Sequence, residues 1–124
     1  MDTPTGHERT AASLEDNLKK ALTELLVLFL LCRREYYIGE LTAEIQQKSN
    51  GALAIVFPYG VIYRMTRAEY ITESRKRVAP DGRLRQYYRI TESGKAYLTE
   101  LLDTYQRFTR GVADVLNTGG DHNA

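Results

Sequence analysis

"RVAPDGRLRQYYRIT", residues 77–91, sets a turn between two runs that mix arginines with strand-forming residues. Pro80, Asp81 and Gly82 each suit a tight reversal. Proline presets φ, aspartate folds back on its own backbone, and glycine accepts a left-handed conformation. The flanking runs predict strands over about Ile71 to Val78 and Leu84 to Ile90. In the second strand Leu84, Gln86, Tyr88 and Ile90 alternate with Arg83, Arg85, Tyr87 and Arg89. Alternate residues point to opposite faces of a sheet. The first set is therefore expected to join a core, and the second to hold three cations and an aromatic ring outside it.

These arginines stand out because the 124-residue chain has a net charge of only +1. From Arg64 to Arg89 lie Arg64, Arg67, Arg75, Lys76, Arg77, Arg83, Arg85 and Arg89, opposed only by Glu69, Glu73 and Asp81. The rest of the chain is net acidic, so the basic charge is concentrated on one segment. Charged edge strands also serve to discourage sheet-to-sheet pairing, and a second basic element is needed to favour nucleic acid over that plain role.

Working backwards from the hairpin supplies one. A helix is expected from about Phe57 to Glu69, with Pro58 at an early position that tolerates it. At 100° per residue Pro58, Val61, Ile62, Met65 and Ala68 share one face, while Tyr59, Gly60, Tyr63, Arg64 and Arg67 share the other. The second face is aromatic, basic and relieved of a side chain at Gly60. Upstream, "SNG" (Ser49 to Gly51) ends a short helix of about Gly39 to Lys48, whose inner face carries Leu41 and Ile45. A first helix is expected from Leu14 to Arg34, opened by a Ser13–Asp16 capping pair. Its second half is apolar nearly all round, which implies burial on more than one side. Downstream, Thr91 is expected to cap a last helix reaching Asn117.

Three helices closed by a hairpin make a winged helix-turn-helix, mainly α with a two-stranded β wing (α+β), followed by an extra C-terminal helix. The expected organisation is a tail over 1–12, a DNA-binding domain over 13–91, a dimerisation helix over 92–117 and a tail over 118–124. The third helix would read the major groove through Tyr59, Tyr63, Arg64 and Arg67. The wing would touch phosphate through Arg77, Arg83 and Arg85, so that cations from two elements grip one duplex. In the last helix Leu98, Leu101, Tyr105, Phe108, Val112 and Val115 advance by alternating threes and fours, the spacing of a packing seam. Leu101, Tyr105, Phe108, Val112 and Val115, with Leu25 and Phe29 of the first helix, form the expected homodimer interface.

The stretch "DGRLRQYYRITESGKAYL" (81–98) resembles the wing and following helix of PadR-type transcriptional regulators. Gly82, Arg83, Arg85, Tyr87, Tyr88, Arg89, Ile90, Thr91 and Gly94 match the pattern G-R-x-R-[+/x]-Y-Y-R-[IL]-T-x-x-G-x-x-x-L. Tyr59 falls on the tyrosine of that family's recognition helix, Ile62 and Met65 on its core leucines, and "EYI" (Glu69 to Ile71) on its closing "GLI". The usual His-Gly-Tyr-Glu is reduced here to "YYIGEL" (Tyr36 to Leu41), and Pro58 and Gly60 replace residues that are commonly leucine and proline. The short last helix is similar to the family's compact branch. The resemblance implies repression relieved by a small-molecule effector near the dimer interface.

Other chemistries find little footing. Cys32 is the single cysteine, placed in an apolar run where an inert core thiol is expected, and His7 and His122 lie in the polar ends. No nucleophile has an activating base, so neither an enzyme nor a cofactor or metal is expected. The N-terminus lacks the layout of a signal peptide, and the run from Leu25 to Cys32 is too short to span a membrane, pointing to a soluble cytoplasmic protein. The competing use of the same basic face is as a protein-interaction module for an acidic partner.

Overall fold

The computed structural model describes residues 11–55 and 58–122. The chain order is α1 (Ala11–Arg33), β1 (Tyr36–Tyr37), α2 (Ile38–Lys48), α3 (Tyr59–Arg67), β2 (Ile71–Val78), β3 (Leu84–Ile90) and α4 (Glu92–His122). This is a winged helix with a long C-terminal helix. Both wing strands fall where the alternation placed them. The helices shift at their ends. α1 starts at Ala11, so Ser13 lies inside the helix and the Ser13–Asp16 pair is not its cap. α4 continues five residues past Asn117, so 118–122 are helical where a tail was expected. The expected N-terminal tail up to Thr10, and Phe57 at the head of the third helix, lie outside the described residues.

The sheet has three strands in the order β1-β3-β2, all antiparallel, one more than the two expected. β1 pairs Tyr36 with Tyr88 and Tyr37 with Tyr87. Two residues carry no periodicity, which is why this strand is silent in the sequence. It also changes what the wing presents. Tyr37 is laid edge-on against Tyr87, with ring centroids 5.5 Å apart, and Tyr87 is left only 4% exposed. Tyr87 is thus covered rather than free beside the arginines. Leu84, expected toward the core, stands at the wing tip opposite Val78 and is 65% exposed, because the hairpin there has passed the edge of the core.

The second half of α1 runs through the centre, with Val27, Leu28, Leu30 and Leu31 buried against Leu41 and Ile45 of α2, Ile62 and Met65 of α3, Tyr36, Ile71 and Ile90 of the sheet, and Leu98 of α4. Burying each such aliphatic side chain stabilises the fold by about 1.5–3 kcal/mol. Leu25 belongs to this cluster at 7% exposure, so it is used within the chain's own core and is not open to a partner. Cys32, expected as an inert core thiol, is exposed instead, bordering a cleft with Phe29, Leu98 and Leu102. α2 ends as "SNG" foretells, with Asn50 and Gly51 at φ 55° and 84° and the Gly51 N–H donating to the Gln46 carbonyl at 2.8 Å.

A compact knot joins α3 to α4. The chain leaves α3 with Glu69 at φ 65°, a left-handed conformation unusual for a residue with a side chain. The Thr91 N–H donates to the Tyr70 carbonyl at 3.0 Å, and the Thr91 hydroxyl donates to the Glu69 carbonyl at 2.6 Å. The same hydroxyl accepts the Gly94 N–H at 3.0 Å, capping α4. Gly94 packs directly on the Tyr70 carbonyl, where a Cβ would overlap the oxygen.

Candidate nucleic-acid interface

α3 forms where Ile62 and Met65 fall three residues apart and bury, with Pro58 buried as its N-cap. The burial of that face fixes which residues point outward: Tyr59, Tyr63, Arg64 and Arg67 are all exposed. They are not equally free. Arg67 Nη1 donates to the Tyr63 hydroxyl at 2.8 Å. Arg64 Nη2 lies 3.7 Å from Glu24 of α1, whose other carboxylate oxygen accepts the Tyr97 hydroxyl of α4 at 3.0 Å. Glu24, which sequence reasoning passed over, thereby ties α3 to α1 and α4. Nothing in the spacing of residues 24, 64 and 97 signals that contact.

The wing turns over Ala79 to Gly82, with the Gly82 N–H on the Ala79 carbonyl at 2.8 Å and Gly82 at φ 86°. That geometry leaves the strand pair in a register that sets Arg77 opposite Arg85. Like charges directly opposed across a sheet repel, and aromatic faces absorb them here. The Arg77 guanidinium lies 3.9 Å from the Tyr87 ring centroid and that of Arg85 lies 5.1 Å from the Tyr37 centroid. Arg85 also pairs with Asp81 at 2.6 Å. That hydrogen bond, with a second from the Arg83 backbone N–H, holds the Asp81 carboxyl below its ordinary range. Arg83 is exposed at the tip. Loss of water around the half-buried Tyr37 ring raises its hydroxyl pKa, and the neighbouring Asp81 charge adds to the effect.

The two basic elements meet. Tyr59 at the start of α3 and Arg85 of β3 line one cleft of ≈ 330 Å³, together with Tyr37, Gly39, Gln86 and Tyr88. The start of α3 and one wing arginine therefore border a shared cleft, and Tyr37, which the sequence reading did not single out as a site residue, belongs to it. The expected dimer residues sit elsewhere. Phe29, Tyr105, Phe108, Val112 and Val115 are exposed, joined by Leu14, Leu18 and Leu116, while Leu101 is half-buried against the core. Among the described residues no group of acidic, histidine or cysteine side chains could hold a metal ion, and no helix is long and apolar enough to cross a membrane.

The sequence profile of the Transcriptional regulator PadR-like family matches residues 27–100. The chain belongs to that family. An uncharacterised protein of Lysinibacillus sphaericus is 37% identical over 79 residues, which is 62% of this chain and 72% of its own. Among solved structures, a PadR family transcriptional regulator from Eggerthella lenta superposes with a TM-score of 0.71 at 20% identity, covering 91% of this chain and 94% of that one. A PadR-like transcriptional regulator from Bacillus cereus gives 0.69 at 22% identity, over 81% and 96%. These likenesses show the winged-helix fold. The PadR-like match takes in the core half of α1, α2, α3, the wing and the root of α4. The exposed apolar residues of α4, from Tyr105 onward, lie beyond it.

Proposed function

We propose that this PadR-like regulator acts as a homodimer on specific duplex DNA, with repression as its sense and a small-molecule effector as its release. The observation that supports the DNA reading best is the cleft shared by Tyr59, at the start of α3, and Arg85 of the wing. Tyr59, Tyr63, Arg64 and Arg67 address the major groove, and Arg77, Arg83 and Arg85 address phosphate. Family membership supports regulation of transcription as the setting. Repression and its relief rest on the resemblance of the wing motif alone.

A gel shift with random duplex over a salt series tests the reading. Counterion release makes log affinity fall with log salt by about 0.9 per phosphate contact. Arg83→Ala with Arg85→Ala is expected to weaken binding to all sequences and to flatten that slope by roughly one to two per subunit. An unchanged slope would reduce the wing to a solvated edge. Absence of any shift at low salt would favour the acidic protein partner.

A further inference from the structure

From Arg75 to Arg89 the wing carries six cations and a single acid, Asp81. Both oxygens of that acid are engaged: Oδ1 accepts the Arg83 N–H at 3.0 Å and Oδ2 accepts Arg85 Nη2 at 2.6 Å. The pair lies at the surface, each side chain about one-third exposed. Arg85 is also the residue that borders the cleft with Tyr37, Gly39 and Tyr59, and its Nε is buried without an acceptor among the described residues. A carboxylate and a phosphodiester each offer a guanidinium donor an anionic oxygen, as Asp81 Oδ2 does for Arg85 Nη2. From this arrangement we infer that Asp81 stands in for a DNA phosphate. It holds Arg85 over Tyr37 at the cleft mouth, and a backbone phosphodiester seated between the wing and Tyr59 takes Arg85 from it.

The inference rests on the DNA-binding reading above and adds an exchange to it. A surface ion pair contributes little to stability, so it can be given up to a duplex that carries one charge per ~1.7 Å. The exchange leaves Asp81 uncompensated beside phosphates, where it gathers a cation. The counterion that Arg85 displaces from DNA is thus offset by the one Asp81 takes up.

Asp81→Asn removes the charge but keeps an oxygen for the Arg83 N–H. Asp81→Ser keeps a hydroxyl acceptor for the same group. Both are expected to bind random duplex about two- to fivefold more tightly at low salt, the range of an exposed ion pair. The salt slope should steepen by about 0.9 per subunit. Both gains should vanish when Arg85→Ala is added. If neither variant exceeds the wild type in affinity or slope, or if both bind more weakly, Asp81 is a turn clip and the exchange is wrong. That outcome, with the wild type still binding, leaves the DNA reading standing. A wild type that shifts no duplex overturns the DNA reading and the exchange together.

Discussion

At position 94 the chain has room for a hydrogen atom and nothing larger. A Cβ there would overlap the Tyr70 carbonyl oxygen and come within 2.8 Å of Ile90 Cγ1, and neither neighbour can yield, since Tyr70 O accepts the Thr91 N–H and Ile90 is core. Gly94→Ala is therefore expected to destabilise by about 1–3 kcal/mol or more in urea unfolding, the range of overpacked cores. Gly111 provides the contrast, with nothing within 4 Å of its notional Cβ. In the monomer Gly111→Ala should stabilise by up to about 1 kcal/mol, the helix-propensity gap between the two residues. Thr91 and Gly94 thus have a shared mechanical cause, while Glu69 places a side chain where the backbone is left-handed. The motif was visible in the sequence. Its cause was not, because the Tyr70 carbonyl that Gly94 meets lies on the far side of the hairpin.

Among the elements, the positions of the wing strands were legible, since alternation and a Pro-Asp-Gly turn each mark them, though Leu84 and Tyr87 end up on the other side of the burial divide. The interior face of α3 was legible for the same reason of period, through Ile62 and Met65. What the sequence could not convey was how side chains are spent once elements meet. Tyr87 faces the arginines as alternation requires, yet a two-residue strand lays Tyr37 on top of it. Cys32 shares an apolar run with buried leucines, but the run goes round the helix, and the thiol lies on an exposed part of it. Arg64 and Arg67 look equivalent on a helical wheel, whereas Glu24 binds the first and Tyr63 the second. That difference yields a prediction about specificity. A guanidinium on guanine O6 and N7 contributes about 1–3 kcal/mol of discrimination per good pair. Arg67→Ala and Arg64→Ala are each compared on operator and random duplex. At least one is expected to lose about tenfold more on the operator, and equal losses on both DNAs would assign the two arginines to phosphate.

In the molecule as a whole, α4 carries a run of exposed apolar residues. Phe108 is 67% exposed and Val115 70%, beyond the reach of their own domain. Paired with the outer face of α1 from a second copy, the seam would bury them and place two reading helices about one DNA turn apart. Phe108→Glu with Val112→Glu is expected to give monomers by ultracentrifugation at micromolar concentration, with sharply reduced operator affinity; a monomeric wild type would dismiss the seam. The fold should also show an alkaline limit. Burial raises the hydroxyl pKa values of Tyr36, Tyr88 and Tyr97 above the ordinary 10.0. Because the folded state holds these protons more tightly, their contribution is complete below pH 10.0 and is lost as pH rises through the raised values. Tyrosinate absorbance and helical ellipticity should therefore change together above that pH. The knot of Thr91, Gly94 and the Tyr70 carbonyl has a further effect on the proposed dimer. It anchors the near end of a 31-residue helix to the exit of the reading helix. A rod of that length extends about 46 Å, so it behaves as a lever. A tilt of about 5° imposed at its far end, where copies would meet, corresponds to a displacement of roughly 4 Å. In such a dimer the hydrogen-bonded joint at Thr91 would pass that tilt to α3, and the gap between the two α3 helices would then be set from a site that touches no DNA.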